Sequence, residues 1–285
     1  MELFFNALVQ CLDEPGAGGI HMFIGRELIH DESLSKLERL YIWLLGVPIN
    51  GLRIRARRIL PLIAKGYKHI LDAGCGPGIF TFELARRLPG SRVVGIDVDS
   101  RLVEKNQRIV EKIKLRNCFF EMEDINTLSI EGRYDLIVCV DNLEHIEDDR
   151  KALKNFYRAL QYGGDLLLHV PAYWRRWLFF RWPVNFDVDS HFRPGYTQEE
   201  IQEKIELAGF KIQKICYTYG WIETVTNNIS YLITRARMQN KILYAVVFPF
   251  LNILSFFGRN SKPKKGAGIL VVARKESSWK QQSFP

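Results

Sequence analysis

The sequence lacks the features that mark a secreted, disulfide-stabilised or membrane-spanning protein. Its five cysteines are an odd number, and their spacing fits neither a disulfide framework nor a metal site. The N-terminus, MELFFNALVQCLDE, is apolar but carries early acids and no basic region, so we expect no export signal. The most apolar stretch, KILYAVVFPFLNILSFFGR, is interrupted by Pro249 and Asn252 and falls short of the roughly 20 residues that a spanning helix needs. Together these absences predict a cytoplasmic protein.

Internal repeats and low-complexity segments are also absent, and the composition is that of a folded protein. A chain of 285 residues that is 47% hydrophobic and 25% charged can bury a full core, and it fits one large domain with insertions. The net charge of +8 is compatible with a nucleic acid, an anionic membrane or an acidic substrate. Charge alone does not choose among these partners.

Short β-rich runs alternate with runs of helical period along the middle of the chain, as parallel βαβ units require. Thr197 and Glu200 have capping-box spacing at the start of a later helix, and Gly163 with Gly164 stops an earlier one. The 60 or so residues before the first strand look helical. The predicted strands are residues 68–73, 92–97, 118–122, 134–140, 165–170, 211–219 and 267–275.

Three glycines, Gly74, Gly76 and Gly78, follow the first apolar run, which contains Asp72. Strand, glycine-rich turn and helix in this order allow a ligand to approach the backbone and the free N–H groups of a helix N-terminus. A dinucleotide site would have a glycine at the position of Ile79, and Asp72 would repel a pyrophosphate. The acid instead favours a cationic ligand.

Two further acids follow the next strands. Asp97 ends the second strand, where a carboxylate can accept from both hydroxyls of a ribose. Asp124 follows the third strand, where an acid can accept from an exocyclic adenine amine. The whole set describes a nucleoside that carries an ammonium group and no phosphates.

Four motifs, LDAGCGPG, VVGIDVD, EDI and YDLIVCVDNLEHIED, resemble those of the class I S-adenosylmethionine-dependent methyltransferases in order and spacing. The resemblance covers roughly Arg53 to Lys275. It implies an α/β, Rossmann-like fold: a seven-stranded mixed sheet of order 3-2-1-4-5-7-6, with its last strand antiparallel and helices on both faces.

The same resemblance implies the domain organisation. We expect an N-terminal helical extension at residues 1–66, a methyltransferase domain at 67–275 and a tail at 276–285. Within the domain, residues 173–196 would form an aromatic and basic lid. Residues 220–262 would form a helical apolar insertion between the last two strands.

The resemblance also implies S-adenosylmethionine as the cofactor and supplies candidate site residues. His145, just beyond the fourth strand, is the candidate general base, because an unperturbed histidine pKa of about 6.5 suits proton acceptance near neutrality. A histidine that merely caps the following helix is the alternative. The candidate cofactor-binding residues are Arg53, Asp72, Gly74, Cys75, Gly76, Gly78, Asp97, Val98, Asp124, Ile125 and Asp141.

A closer likeness is to the ubiquinone O-methyltransferases, whose NPLR motif resembles NGLR at residues 50–53. It implies that Arg53 forms a salt bridge with the cofactor carboxylate, although Gly51 stands where proline is expected. It also raises a divalent metal held by Asp141, Glu144 and His145. Because an aspartate replaces the family's glutamate there, we assign no metal.

The two insertions bear on the methyl acceptor. The segment from Pro171 to Thr197 interleaves aromatic and basic side chains, which suits an anionic membrane, met through residues 173–183, an acidic glycan or a nucleic acid. The alternative is a lid that packs its aromatics into its own core. Residues 241–257 lie between two strands that must pair in one sheet, so a single membrane pass is excluded. They would lie on a bilayer, line a lipid-tail groove, or pack against the core or a second subunit in a homodimer.

We therefore predict O-methylation of a small or lipid-linked acceptor by an enzyme peripheral to the membrane. A quinone-biosynthesis enzyme with a prenylated phenol as acceptor is the alternative within the same class. A nucleic-acid methyltransferase is disfavoured, because DNLE stands where base-amine enzymes have an NPPY-type motif. A non-catalytic cofactor-binding partner would need a degraded donor pocket, whereas the glycines and Asp97 are intact.

Overall fold

The computed structural model describes residues 24–64, 66–173, 191–234 and 240–276. Seven strands form one sheet in the order β3-β2-β1-β4-β5-β7-β6, which confirms the predicted order. Strands β1 to β5 run parallel, and β7 is antiparallel to both of its neighbours. The strands are β1 (His69–Ala73), β2 (Arg92–Asp97), β3 (Cys118–Met122), β4 (Tyr134–Val140), β5 (Leu160–Pro171), β6 (Lys211–Thr218) and β7 (Gly268–Arg274).

Eight α-helices lie in the described ranges, together with three short 3-10 turns, Arg26–His30, Leu60–Leu62 and Leu143–His145. The helices are α1 (Lys36–Leu45), α2 (Asn50–Ile59), α3 (Ile79–Arg87), α4 (Ser100–Ile113), α5 (Asp149–Ala159), α6 (Gln198–Leu207), α7 (Trp221–Thr234) and α8 (Lys241–Phe257).

Strand β5 begins earlier than predicted. The expected helix stop at Gly163 and Gly164 lies within the strand, because α5 already ends at Ala159. The backbone of both glycines pairs with Lys275, through N–H···O bonds of 2.7 and 3.0 Å. The extra residues form an irregular start to β5, where the register against β4 shifts between Tyr134 and Leu136.

Both faces of the sheet are buried. Successive residues of β1 alternate between two hydrophobic clusters, with Ile70 on one face and Leu71 on the other. Helices α5 and α6 cover one face, while α2, α3 and α4 cover the other. This double coverage explains why the strands read as nearly continuous apolar runs, since neither face needs polar side chains.

The described part of the N-terminal extension begins with a turn and two helices. Helix α1 starts with a capping box in which the Ser35 hydroxyl accepts from the Glu38 N–H at 3.2 Å and Glu38 accepts from the Ser35 N–H at 2.9 Å. Helix α2, with the sequence NGLRIRARRI, carries four arginines, and each is directed to a different part of the molecule. The extension therefore packs on the sheet domain as part of one structure.

Helices α7 and α8 make up most of the insertion between β6 and β7. The buried side of α8 packs against Tyr41 of α1. Arg57 of α2 donates to Asn252 at 3.1 Å and to Ser255 at 2.6 Å on the same helix. None of the helices in the described ranges is long and apolar enough to cross a membrane.

Some predicted segments lie outside the described residues. These are residues 1–23 of the extension, residues 174–190 of the predicted lid and residues 277–285 of the tail. Nearly all of the 173–183 segment predicted to meet a membrane falls in this group.

Candidate functional site

The candidate site lies where the carboxyl ends of the strands meet. Strand β1 has β2 on one side and β4 on the other, so the chain direction of the connections reverses there. Such a switch point leaves a crevice outside the strand ends, and open α/β sheets bind ligands in that crevice. Asp97 ends β2, Asp124 and Asp141 follow β3 and β4, and Asp72 lies one residue before the end of β1.

The loop after β1 has the shape that its glycines predict. Gly74, Gly76 and Gly78 have φ angles of 76°, 51° and 78°, a region that favours glycine. A Cβ atom at Gly74 would lie 2.1 Å from Cγ of Asn142, so the loop approaches the end of β4 closely. A Cβ atom at Gly76 would meet nothing within 4 Å, so this glycine faces open space.

Asp97 ties the end of β2 to this loop. Its Oδ2 accepts from the Gly76 N–H at 2.8 Å, and its Oδ1 accepts from the Asp99 N–H at 3.0 Å. Each carboxylate oxygen has two lone pairs, so both retain capacity for a further donor. The half-buried carboxylate can therefore accept from two ligand hydroxyls without losing its place in the fold.

Asp72 and Cys75 are buried beside the loop. Burial raises the pKa of the Asp72 carboxyl to about 6, opposed by a hydrogen bond of 2.6 Å from the Thr81 hydroxyl and assisted by the charge of Asp97. Burial likewise raises the pKa of the Cys75 thiol, which keeps it unreactive. Asp72 thus offers a site where a cation would be favourable, although its carboxyl does not reach the surface.

The far side of the crevice combines an exposed acid with apolar side chains. Asp124 is exposed, and its Oδ1 accepts from the Asn126 N–H at 2.8 Å. Ile125 is buried, whereas Val98 is 67% exposed and Met122, which pairs with Asp97 in the ladder, is 63% exposed. Two large exposed apolar side chains flanking two acids suit a flat heteroaromatic ring with polar edges.

Asp141 takes part in a polar network that the sequence did not predict. Its carboxylate lies 2.8 Å from Nη1 of Arg55 and 2.5 Å from Nδ1 of His169. His169 Nε2 lies 2.9 Å from the Thr218 hydroxyl, and Arg55 also donates to the Tyr219 hydroxyl at 3.0 Å. The network joins α2 to the ends of β4, β5 and β6, and the Asp141 charge raises the pKa of Arg55.

The structure does not support the prediction for Arg53. Its side chain is fully buried, and its guanidinium donates to the carbonyls of Val47 and Leu45 in the α1–α2 turn. Burial lowers the pKa of Arg53 to about 9. The arginine of α2 that reaches the strand ends is Arg55, two residues further along.

The departure at Gly51 has a physical reason in the same network. A Cβ atom at this position would lie 2.9 Å from Asn227 Oδ1, 3.2 Å from Arg55 Nη1 and 3.3 Å from the Tyr219 hydroxyl. The last two distances are shorter than ordinary contacts of a Cβ atom. They involve Arg55, which pairs with Asp141, and Tyr219, whose hydroxyl accepts from Arg55. A glycine therefore makes room for the Arg55 and Tyr219 side chains.

His145 lies in the short turn after β4 and contacts another histidine. Its ring is 4.4 Å from that of His191 between centroids, in an edge-on arrangement. Possible ligand atoms of Glu144, His145 and His191 lie within 4.8 Å of one another, which is the one such group in the described ranges. Asp141, whose carboxylate contacts Arg55 and His169, is not part of this group.

Of the network residues that were not predicted from the sequence, His169 is the one that the sequence could have indicated. His169 interrupts the otherwise apolar run LLLHVP of a buried strand, and a buried imidazole needs hydrogen-bond partners. Arg55, Thr218 and Tyr219 gave no comparable signal, because their partners come from distant parts of the chain.

Comparisons with known proteins agree with this geometry. Residues 70–164 match the family described as "Methyltransferase domain". This segment runs from β1 to the start of β5 and contains the glycine loop, Asp97, Asp124 and His145.

Curated relatives resemble parts of the chain. The ubiquinone biosynthesis O-methyltransferase of Coxiella burnetii is 32% identical over 114 residues, which are 40% of this chain and 47% of that protein. The trans-aconitate 2-methyltransferase of Deinococcus radiodurans is 32% identical over 156 residues, 54% of this chain and 53% of that protein. The chain thus spans about half the length of the curated relatives that it matches.

Solved structures share the fold at low identity. Phosphoethanolamine N-methyltransferase 2 of Haemonchus contortus, in complex with S-adenosyl-L-methionine, aligns with a TM-score of 0.58 and 18% identity over 92% of this chain and 61% of that chain. The cyclase SpnF aligns with a TM-score of 0.54 and 18% identity over 79% of this chain and 82% of that chain. A cyclase among these structures means that the reaction has to be argued from the site.

Proposed function

Because the chain carries a class I S-adenosylmethionine-dependent methyltransferase domain, we propose that it transfers the methyl group of this cofactor to an oxygen of a small or lipid-linked acceptor. One observation carries the proposal. The open backbone at Gly76 and the acceptor oxygens of Asp97 lie together at the β1/β4 switch point, joined by a hydrogen bond of 2.8 Å.

The residues present fit the ribose, the adenine ring and the cationic methionine portion of the cofactor, while no residue is assigned to its carboxylate. Asp97 would accept from the ribose hydroxyls, and Asp124 from the adenine amine, with Val98 and Met122 against the ring. The glycine loop leaves room for the methionine portion, and the buried Asp72 favours its cationic charge. When bound there, the cofactor supplies an activated methyl group on its sulfonium.

The protein then has to position the acceptor and receive its proton. Holding the two reactants in line supplies much of the rate in such a transfer, and a base is needed where the acceptor loses a proton. His145 is half-buried at the end of β4 and is our candidate for that base. Asp141 is engaged by Arg55 and His169, so its role is to order this part of the site.

The acceptor in this proposal is a phenolic hydroxyl. The likeness to a ubiquinone biosynthesis O-methyltransferase favours a phenolic hydroxyl, and a prenylated phenol is the specific alternative. A nucleic-acid acceptor is disfavoured, because the arginines of α2 are directed inward: Arg57 contacts α8, and Arg58 pairs with the buried Glu223 of α7. That basic stretch does not present a surface to phosphates.

Transfer of a tritiated methyl group tests the proposal. Purified protein is incubated with labelled cofactor and either a water-soluble catechol or the same catechol carrying a polyisoprenyl chain in vesicles. We expect label in the catechol product, and less than about one hundredth as much with Asp97→Ala. Absence of label in both acceptors, with cofactor binding intact, would contradict transfer to a phenolic oxygen.

A further inference from the structure

Helix α8 carries a continuous apolar face that no part of the described structure covers. Its members are between 51% and 84% exposed, and they recur at intervals of three and four residues, which places them on one side of the helix. We call this set the apolar face: Ile242, Leu243, Val246, Phe250, Ile253, Leu254 and Phe257. Isolated exposed apolar side chains are ordinary, whereas a contiguous patch of this size marks an interaction surface.

The opposite side of α8 fixes which side faces outward. Tyr244, Phe248 and Leu251 are buried against α1 and α7. Asn252 and Ser255 are bound by Arg57, and the Tyr244 hydroxyl accepts from the Asn50 N–H at 3.2 Å. Rotating the helix to hide the apolar face would break these contacts, so the described residues hold this face outward.

Cations flank the apolar face, and acids are missing from the segment. Residues 240–275 contain no aspartate or glutamate. Lys241 stands at the start of α8, and the exposed Lys262, Lys264 and Lys265 follow its end. An apolar band with basic ends complements a surface that has an apolar interior and anionic headgroups.

The helix can meet such a surface only by lying along it. It has 17 residues, which is short for a span, and the strands on either side of the insertion pair with each other over seven positions. A second copy of the chain is a poorer occupant, because it would bring the same basic flanks together without a carboxylate in this segment to pair with them.

We propose that the apolar face of α8 docks on an anionic lipid bilayer, with the helix parallel to the membrane. Helix α2 links this surface to the site, because Arg57 contacts α8 and Arg55 contacts Asp141 at 2.8 Å. In the docked protein, α2 therefore lies between α8 and the strand ends. Access to a lipid-linked acceptor follows from this placement, and that consequence alone rests on the proposed function.

Co-sedimentation with vesicles tests the docking without any assay of activity. The protein is mixed with vesicles of phosphatidylcholine alone or with added phosphatidylglycerol, at low salt and at about 1 M salt, where charges are screened beyond roughly 3 Å. We expect it to pellet with the anionic vesicles, less at high salt but still measurably, since the apolar contribution remains. Absence of pelleting under all four conditions would overturn the proposal.

Two sets of variants locate the surface. Val246→Asp with Phe250→Asp should lower the apparent partition coefficient at least tenfold, whereas Leu207→Asp, the same change at an exposed apolar position on α6, should leave it unchanged. Replacing Lys262, Lys264 and Lys265 by glutamine should lower it at least tenfold at low salt. Replacing the exposed Arg150, Lys151 and Lys154 of α5 by glutamine removes the same charge elsewhere and should have a much smaller effect.

The folding, the oligomeric state and the cofactor affinity of the variants decide among the remaining outcomes. A docking surface predicts that Val246→Asp with Phe250→Asp stays folded, remains monomeric and binds S-adenosylhomocysteine like the wild type. A wild-type dimer that this variant dissociates, together with no vesicle binding, would assign the apolar face to a second copy and overturn the proposal. Normal vesicle binding by a protein that transfers no methyl group would uphold the docking and contradict the proposed function.

Discussion

At the scale of single residues, Asp72 links the electrostatics of the site to pH. Its pKa is raised to about 6 by burial, and Asp97 is the charged group that adds to the shift. A bound cation favours the ionised carboxylate, so cofactor binding expels the proton that Asp72 carries below that pKa. Affinity for S-adenosylmethionine should therefore rise by about tenfold from pH 5 to pH 7, as measured by calorimetric titration.

Asp72→Asn provides the control for this pH dependence. Its affinity should change much less between pH 5 and pH 7, because the neutral amide does not titrate. Without ligand, the raised pKa also means that the native state binds more protons than the unfolded state between the ordinary carboxyl pKa of 3.8 and about 6. The free energy of unfolding of the wild type should fall as pH rises through that window, and Asp72→Asn should remove this component. A wild-type affinity that is the same at pH 5 and pH 7 would contradict the account.

His145 is the second test at this scale. If it accepts the acceptor's proton, His145→Ala should lower the turnover number by about 10²-fold or more with little change in affinity for S-adenosylhomocysteine. His191→Ala should have a smaller effect, and chelator treatment should leave the rate unchanged. A comparable loss in His191→Ala together with inactivation by the chelator would instead assign Glu144, His145 and His191 to a metal. A fall in thermal stability that accounts for the lost activity would assign His145 a structural role.

The sequence predicted the residues at strand ends better than those that join distant elements. Asp97 and the three glycines belong to one βαβ unit, which runs from β1 through α3 to β2, so their spacing alone describes their geometry. Arg53 and Arg55 lie on the same helix, and choosing between them requires knowing how α2 turns toward the sheet. The Asp141 network joins residues from four separate elements. Only His169 gave a sign of it in the sequence, because it interrupts an otherwise apolar strand.

At the scale of elements, α8 contains a proline whose cost is offset by another helix. Pro249 has no N–H, so the carbonyl of Ala245 one turn earlier has no intrahelical partner. The Tyr41 hydroxyl of α1 donates to that carbonyl at 2.6 Å. The proline and the tyrosine are therefore coupled, although they belong to the insertion and to the N-terminal extension.

We predict that Tyr41→Phe lowers the free energy of unfolding by about 1–3 kcal/mol, because it leaves a partly buried carbonyl without a donor. In a background that carries Pro249→Ala, the restored N–H of residue 249 can bond to Ala245, and the same substitution should cost clearly less. Chemical denaturation of the four proteins gives the coupling energy directly. Equal costs in the two backgrounds would mean that Tyr41 does not serve the carbonyl released by the proline.

The sequence predicted the ends of most strands better than it predicted the orientation of the helices. Strands β2, β3 and β4 begin and end at the predicted residues, because apolar runs buried on both faces stop where the chain leaves the sheet. Strand β5 begins earlier than predicted, because two consecutive glycines at the irregular start of a strand cannot be distinguished in the sequence from two glycines that end a helix. The insertion was predicted as helical and apolar, but which face of α8 would be outward depended on the arginines of α2.

At the scale of the whole molecule, the carboxyl ends of six strands, β1 to β6, gather the residues of the candidate site along one edge of the sheet. Helix α2 contacts both the edge, through Arg55, and the insertion, through Arg57 and Arg58. The four arginines of α2 lie in internal contacts, and two of them pair with the carboxylates of Asp141 and Glu223. The basic composition is therefore largely structural in this part of the chain, which the sequence alone did not indicate.

The central claim is that this edge binds an S-adenosyl nucleoside through Asp97 and the glycine loop. Calorimetric titration of purified protein with S-adenosylhomocysteine tests it most directly, with NAD as the ligand of the competing dinucleotide type. We predict saturable binding that Asp97→Ala weakens by about 10- to 100-fold, through loss of a charged acceptor, while the exposed-acid control Glu104→Ala on α4 leaves it unchanged, and no heat with NAD. Equal affinity of the wild type and Asp97→Ala for S-adenosylhomocysteine, or saturable binding of NAD in its place, would contradict the account.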